Sequence, residues 1–424
     1  MATIAPHHRL SSRVAQSRPG VFDFIRPSQP SEAPLHIALI GNYPPQRCGL
    51  ATFTADTRQA LDQHESAPRV DTYILRDDDD CVYADDITHL MRRGDRSAYR
   101  KAARRIMASG ADRVLVQHEF GIYGGDDGAY LCDLIEAVDV PVAVTLHTIL
   151  KEPSAGQAEV MRRIIAASDV LIVMAEYGRA VLQSHYGVPE GMIAVIPHGI
   201  PDFDYQTPDA AKPALALEGR QVILTFGLLS PDKGIDRMVE AMPSIVRENP
   251  DALYIVLGAT HPNLKAREGE TLRTALQERA QDLGMQDHIR WIDAFVETDE
   301  LIAYLRAADV YVTPYLNPMQ ITSGTLSYAV GMGKPVVSTP YIHASELLTE
   351  GNGIIVPFQD EAALAQVIGG LLRDDYRRNA MARTAYARGR RMVWDRCADA
   401  LLERIRVIQD TQMAAGNTTA ARMA

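Results

Sequence analysis

Cysteine is scarce in this 424-residue chain. There are four, Cys48, Cys81, Cys132 and Cys397, and none stands at the spacing of a paired metal ligand or a disulfide framework. They read as thiols of a reducing compartment, so the expected location is cytoplasmic. No apolar run reaches the ~18 residues needed to span a bilayer, so no transmembrane segment is expected. His7, His8, Arg9 and Arg13 have no apolar stretch behind them, which excludes a secretory signal. Basic residues are in deficit: 43 Lys and Arg against 54 Asp and Glu leave a net charge of −11. That balance argues against nucleic acid or an anionic membrane as the main partner, and leaves peripheral membrane contact open.

What remains is an ordinary globular composition, 46% hydrophobic, in a chain long enough for two domains with separate cores. Residues 1–34 are rich in Ser, Pro and Arg without periodicity and read as a disordered leader. Apolar runs at His36–Ile40, Val70–Leu75, Val114–Val116, Val142–Leu146, Val170–Met174 and Ile193–Ile196 then predict strands. Helical spacing at Ala51–Leu61, Ser97–Ser109 and Ala129–Val138 separates several of them. This alternation predicts a doubly wound α/β domain over 35–200. Residues 201–219, with Pro201, Pro208, Pro213 and Gly219, read as a linker. The alternation restarts over 220–393, with strands expected at Val222–Phe226, Leu253–Leu257, His288–Trp291, Val310–Thr313, Pro335–Ser338 and Gly353–Val356. A final helix is expected over 394–410 and a flexible tail over 411–424. Two Rossmann-like domains would then face each other across a cleft, where the carboxyl ends of parallel strands hold ligands.

The segment from Asp309 to Glu346 reads as strand, loop, helix, strand. Thr322 and Ser323 are placed to cap the helix, and Gly324 admits close approach of a ligand to the backbone. The first turn of such a helix offers free N–H groups and the positive end of its dipole, which suits a phosphate. The same pattern also fits an ordinary βα turn.

Several stretches at those strand ends carry a resemblance. Val222–Met242 reads VILTFGLLSPDKGIDRMVEAM, Val195–Ile200 reads VIPHGI, Gly333–Ser338 reads GKPVVS, and Trp394–Ile405 reads WDRCADALLERI. In order and spacing these resemble the GT-B fold retaining glycosyltransferases of family 4 (group 1), over about residues 35 to 408. The resemblance implies a donor nucleotide-diphosphate sugar on the second domain, a carbohydrate or lipid-linked acceptor on the first, and transfer with retention. It implies no metal and no cofactor beyond the nucleotide sugar as co-substrate, and a last helix crossing back to the first domain. Lys233 matches the family's phosphate-binding lysine, the alternative being a solvated surface lysine. His147 matches its cleft histidine, a group that bonds the donor sugar and helps the departing proton. Both are therefore the expected catalytic residues. Gly49, after Arg47 and Cys48, falls in the family's glycine-rich loop. His118 and Glu119 are expected at the acceptor's hydroxyls.

The sequence also departs from the family pattern. Leu228 stands where an arginine is usual, and Gln320 and Tyr328 stand at the two positions of a Glu-x7-Glu motif. Gln320 is expected to bond a sugar hydroxyl and Tyr328 to stack on or bond the ribose. With Ser323, Gly324 and Thr325 they make up the expected donor side. Glu346 reads either as a donor-side carboxylate or as a helix cap. His261, Lys265 and Arg267 read either as a substitute for the absent guanidinium or as a solvated helix entry. Asp77–Asp80 reads as a solvated acidic loop, the alternative being a metal site. A glycoside phosphorylase using free phosphate and a non-catalytic sugar-binding relative stay open beside the transferase. Donor base, sugar, acceptor and oligomeric state are not legible.

Overall fold

The computed structural model describes residues 34–77, 82–84 and 87–407. The expected leader, apart from Pro34, and the expected tail lie outside the described residues, as do Asp78–Asp80 and the last three positions of the expected crossover helix.

Among the described residues thirteen strands form two sheets, both parallel throughout. The first holds β1 (His36–Gly41), β2 (Arg69–Arg76), β3 (His89–Arg92), β4 (Arg113–His118), β5 (Val142–Leu146), β6 (Val170–Val173) and β7 (Ile193–Val195), in the order β3-β2-β1-β4-β5-β6-β7. The second holds β8 (Gln221–Phe226), β9 (Ala252–Leu257), β10 (Ile289–Ile292), β11 (Val310–Thr313), β12 (Val336–Ser338) and β13 (Gly353–Ile355), in the order β10-β9-β8-β11-β12-β13. In each sheet the order reverses beside the first strand, between β1 and β4 and between β8 and β11. Those reversals open the crevices in which such sheets take ligands.

Strand periodicity explains the double winding. Along β1, Ile37 and Leu39 join one apolar core while Ala38 and Ile40 join another. Along β9, Leu253, Ile255 and Leu257 face one side, and Tyr254 and Val256 the other. Successive side chains point to opposite faces, so a strand apolar at every position must be covered by helices on both sides.

The sequence reading misses β3, whose four residues HLMR carry no alternation and whose pairing is to β2 alone. Residues 201–219 are not bare linker: they form short helical turns at Pro208–Ala211 and Lys212–Leu215. Lys212 is buried there, with its ammonium 3.0 Å from Asp309. Residues 394–407 are helical and return to the first sheet. There Cys397, Leu401, Leu402 and Ile405 complete the core under β1 and β4, and Arg113 Nε donates to the Ile405 carbonyl at 3.0 Å. Among the described residues no helix is long and apolar enough to cross a membrane.

Candidate functional site

Lys233 follows β8 on the turn Pro231–Lys233. Its position depends on Gly234, which has φ +63° and passes so near β11's loop that a Cβ would lie 2.0 Å from the Pro314 carbonyl oxygen. No residue with a side chain fits there, which docks the lysine turn onto the loop after β11. Leu316 N donates to Asp232 O at 2.8 Å across the same junction. Lys233 is half-buried, makes no ion pair among the described residues, and holds its ammonium 3.9 Å from the centroid of the Tyr315 ring.

The helix Gly324–Gly331 starts beside this turn. Ser323 caps it, its Oγ accepting from Leu326 N at 3.3 Å. Ser323 N donates to Nδ1 of the buried His343 at 2.8 Å, which fixes the entry into the helix. Thr325 Oγ1 lies 2.8 Å from the Tyr315 hydroxyl and 3.1 Å from Ser323 Oγ. Gly324 is needed for a different reason: a Cβ there would lie 2.8 Å from His198 Nε2. Lys233, Ser323, Gly324 and Thr325 thus stand together at the β8/β11 crevice. Gln320 sits just upstream, its amide donating to the Thr322 carbonyl at 3.1 Å.

From the first sheet, His147 directly follows β5. Its Nε2 lies 2.9 Å from Oε1 of the buried Gln117, which assigns the proton to Nε2 and leaves the lone pair on Nδ1. Burial, with His198 and His118 nearby, pushes His147 down to about 3, so the ring is neutral at working pH. Phe53, on the helix Gly49–Gln63, packs edge-on against His147 at 4.7 Å and against His198 at 4.9 Å. Burial likewise takes His198 down to about 4. A continuous path of contact, His147–Phe53–His198–Gly324, therefore links the first sheet to the helix start on the second. Gly49 is exposed at the first turn of the Phe53 helix, and a Cβ there would meet nothing of the described chain within 4 Å.

Other expected residues stand elsewhere. His118 has 0% exposure, closed over by Phe120 and Tyr123, and among the described residues neither ring nitrogen has a partner. The apolar residues that follow it fold back over the ring, so it does not reach the place expected for it at an acceptor. Glu119 binds inward, accepting from Thr148 Oγ1 at 2.5 Å and from Phe120 N at 3.0 Å, and burial raises its carboxyl above the usual range. Tyr328 faces the other lobe instead of open crevice: it is buried, and its hydroxyl donates to Asp56 Oδ2 at 3.2 Å. Burial raises Asp56 to about 6, against the lowering pull of Tyr328 and the Trp394 indole. Lys265 is paired to Glu270 at 2.7 Å, Arg267 to Glu268 at 2.7 Å, and His261 caps the helix Pro262–Glu268. That segment is an ion-paired helix entry, with no cation left over to replace the arginine absent at Leu228.

Glu346 is a cap, though not of its own helix. Its two oxygens accept from Glu176 N at 2.9 Å and Tyr177 N at 2.7 Å, the first turn of the helix Glu176–Tyr186 of the first lobe. A carboxylate satisfies two free N–H groups there and meets the positive dipole end. Glu346→Ala is expected to lower stability by about 1–2 kcal/mol, the usual cost of a lost helix cap, read from the urea midpoint. An unchanged midpoint would show that solvent replaces the contact without loss.

His198, Phe53, Asp56, Tyr315 and His343 were not singled out from the sequence. His198 lies inside the VIPHGI stretch, where its signal was visible. Phe53 and Asp56 look like any residues of an amphipathic helix.

The comparisons agree with this geometry. The family described as "Glycosyl transferases group 1" matches residues 220–374, and that described as "Glycosyltransferase Family 4" matches residues 76–202. A D-inositol 3-phosphate glycosyltransferase of Xylanimonas cellulosilytica is 30% identical over 290 residues, 63% of this chain and 66% of that one. A GDP-mannose-dependent α-(1-6)-phosphatidylinositol monomannoside mannosyltransferase of Mycolicibacterium smegmatis is 29% identical, over 52% of this chain and 57% of that one. The match thus spans under two thirds of either relative's length. Among solved structures, a sucrose-phosphate synthase from Thermosynechococcus elongatus has TM-score 0.68 at 19% identity, covering 91% of this chain and 100% of that one. HepE from Anabaena, in complex with UDP, has TM-score 0.66 at 16% identity, covering 87% and 98%. Two parallel sheets with ligand crevices at their reversal points, and family matches that take in the chain from β3 through the second sheet, mark this chain as a glycosyltransferase of the group 1, family 4-like type.

Proposed function

We propose that the protein transfers a hexose from a nucleotide-diphosphate sugar to a carbohydrate or lipid-linked acceptor, with retention at the anomeric carbon. The observation that carries this reading is Lys233: a cation without a carboxylate partner among the described residues, beside the first turn of the helix Gly324–Gly331. The departing diphosphate needs positive charge and N–H donors already in place, because charge develops on it as the glycosidic bond breaks. His147, neutral and held by Gln117, presents Nδ1 as an acceptor for a sugar or acceptor hydroxyl. The first sheet takes the acceptor and the second the donor. The named activities of the relatives favour an inositol-type acceptor and a guanine nucleotide sugar.

The test is a matrix of UDP- and GDP-hexoses against inositol phosphate and phosphatidylinositol acceptors, with the product's anomeric configuration read by NMR. A donor at a hundredfold excess over its dissociation constant should stabilise the protein by ~2.7 kcal/mol, a melting shift of roughly 5–10 °C. Free phosphate should shift it much less. If no nucleotide sugar raises the melt while a glycoside is cleaved only in the presence of phosphate, the protein is a phosphorylase and the transferase reading is wrong.

A further inference from the structure

A lysine that must meet a diphosphate faces two opposing demands. Its four-carbon stem is floppy, and fixing it on ligand arrival costs rotamer entropy. Fixing it beforehand with a carboxylate would cancel the charge the ligand needs. The face of an aromatic ring meets both demands: it attracts the ammonium through its quadrupole while leaving the net charge and the N–H donors available.

Lys233 has this arrangement. The ring beneath it, Tyr315, has 0% exposure and stacks on Tyr341 with centroids 5.2 Å apart and planes 20° from parallel. Tyr341 is itself fully buried, and its hydroxyl lies 3.2 Å from Thr313 Oγ1 at the end of β11. Thr313 in turn donates to Ser338 Oγ at 2.9 Å at the end of β12. The pair of rings is thus fastened to two strand ends. At its other edge the Tyr315 hydroxyl meets Thr325, in the first turn of the helix Gly324–Gly331.

From this geometry we infer that Tyr315 is a positioning residue: its ring, backed by Tyr341, holds the Lys233 ammonium ready for the diphosphate of the donor. Tyr315 touches no reacting atom and acts through Lys233. The inference rests on the transferase reading, and its test separates the two. UDP and GDP binding is measured by calorimetry for wild type, Tyr315→Phe, Tyr315→Leu, Lys233→Met and the Lys233→Met/Tyr315→Leu double variant, with melts recorded for each.

Tyr315→Leu should weaken nucleotide diphosphate binding roughly 5- to 30-fold, the loss of a desolvated cation–π contact. Tyr315→Phe, which keeps the ring and loses only the hydroxyl, should restore most of the affinity. In the Lys233→Met background the leucine substitution should cost nothing further, because the group it positions is gone. Equal losses in the phenylalanine and leucine variants, or a full leucine effect without Lys233, would overturn the inference and leave the transferase reading standing. Failure of wild type to bind either nucleotide would overturn both. Should Tyr315→Leu not fold, Tyr315→Phe still decides: a loss as large as that of Lys233→Met would place the effect in the hydroxyl and not the ring.

Discussion

Lys233→Ala is expected to lower turnover by ~10²-fold or more while the fold survives. The fold should survive because the lysine makes no ion pair among the described residues and sits on a turn fixed by Gly234 and by the Leu316–Asp232 hydrogen bond. Turnover should fall because no second cation takes over. Leu228 offers none, and Lys265 and Arg267 are committed to Glu270 and Glu268. Only the N–H groups at the start of the helix Gly324–Gly331 would then face the leaving diphosphate. Initial rates measured beside thermal melts decide the matter, and wild-type-like turnover in a folded variant would remove Lys233 from the site.

Acid should destabilise this protein unusually early. His118 and His343 have 0% and 4% exposure, and burial pushes each down to about 3. In the unfolded chain both titrate near 6.5. A histidine depressed in the folded state contributes stability that is complete above about 6.5 and is lost as pH falls toward 3, because only the unfolded chain then gains the proton. At pH 4.5 each has given up on the order of 2–3 kcal/mol, on the order of 5 kcal/mol for the pair. His147 and His198 act in the same direction. Asp56 opposes them: raised to about 6, it contributes stability present below 3.8 and lost as pH rises through 6. Glu119, also raised by burial, adds to it, but two carboxyls stand against four histidines, so the fall on acidification should prevail. Urea midpoints at pH 7 and 4.5 measure it. His118→Phe, which suits the surrounding Phe120 and Tyr123, should shrink the drop by roughly a quarter, one histidine's share of four, and an equal drop in that variant would exclude the histidine account.

The sheets were legible because parallel strands buried on both faces write themselves as apolar runs, and all six strands of the second sheet were placed this way. β3 was not, since four residues paired on one side need no such run. Lys233, Ser323, Gly324 and Thr325 were legible as a group because they follow strand ends and helix caps, which are local signals. His118 was misplaced because position at a strand end says nothing of what folds back over it. Tyr328 with Asp56, and Glu346 with the Glu176 helix, join residues 272 and 170 positions apart. Neither partner carries a mark of the other in its own neighbourhood. Tyr315 escaped notice because a tyrosine in a loop has no local signature as a seat for a cation.

The second sheet is entered and left at one place. Ile200 N donates to Met392 O at 2.9 Å, Trp394 N donates to Ile200 O at 3.0 Å, and Ile200 bridges Val393. The incoming and outgoing chains are thus stitched side by side. In evolutionary terms this makes residues 201–392 a cassette: a stretch whose two ends meet can be exchanged for another without lengthening any connection in the rest of the chain. A scaffold of this kind can change one half of its chemistry by recombination while the other half, with its closing helix, stays as it was.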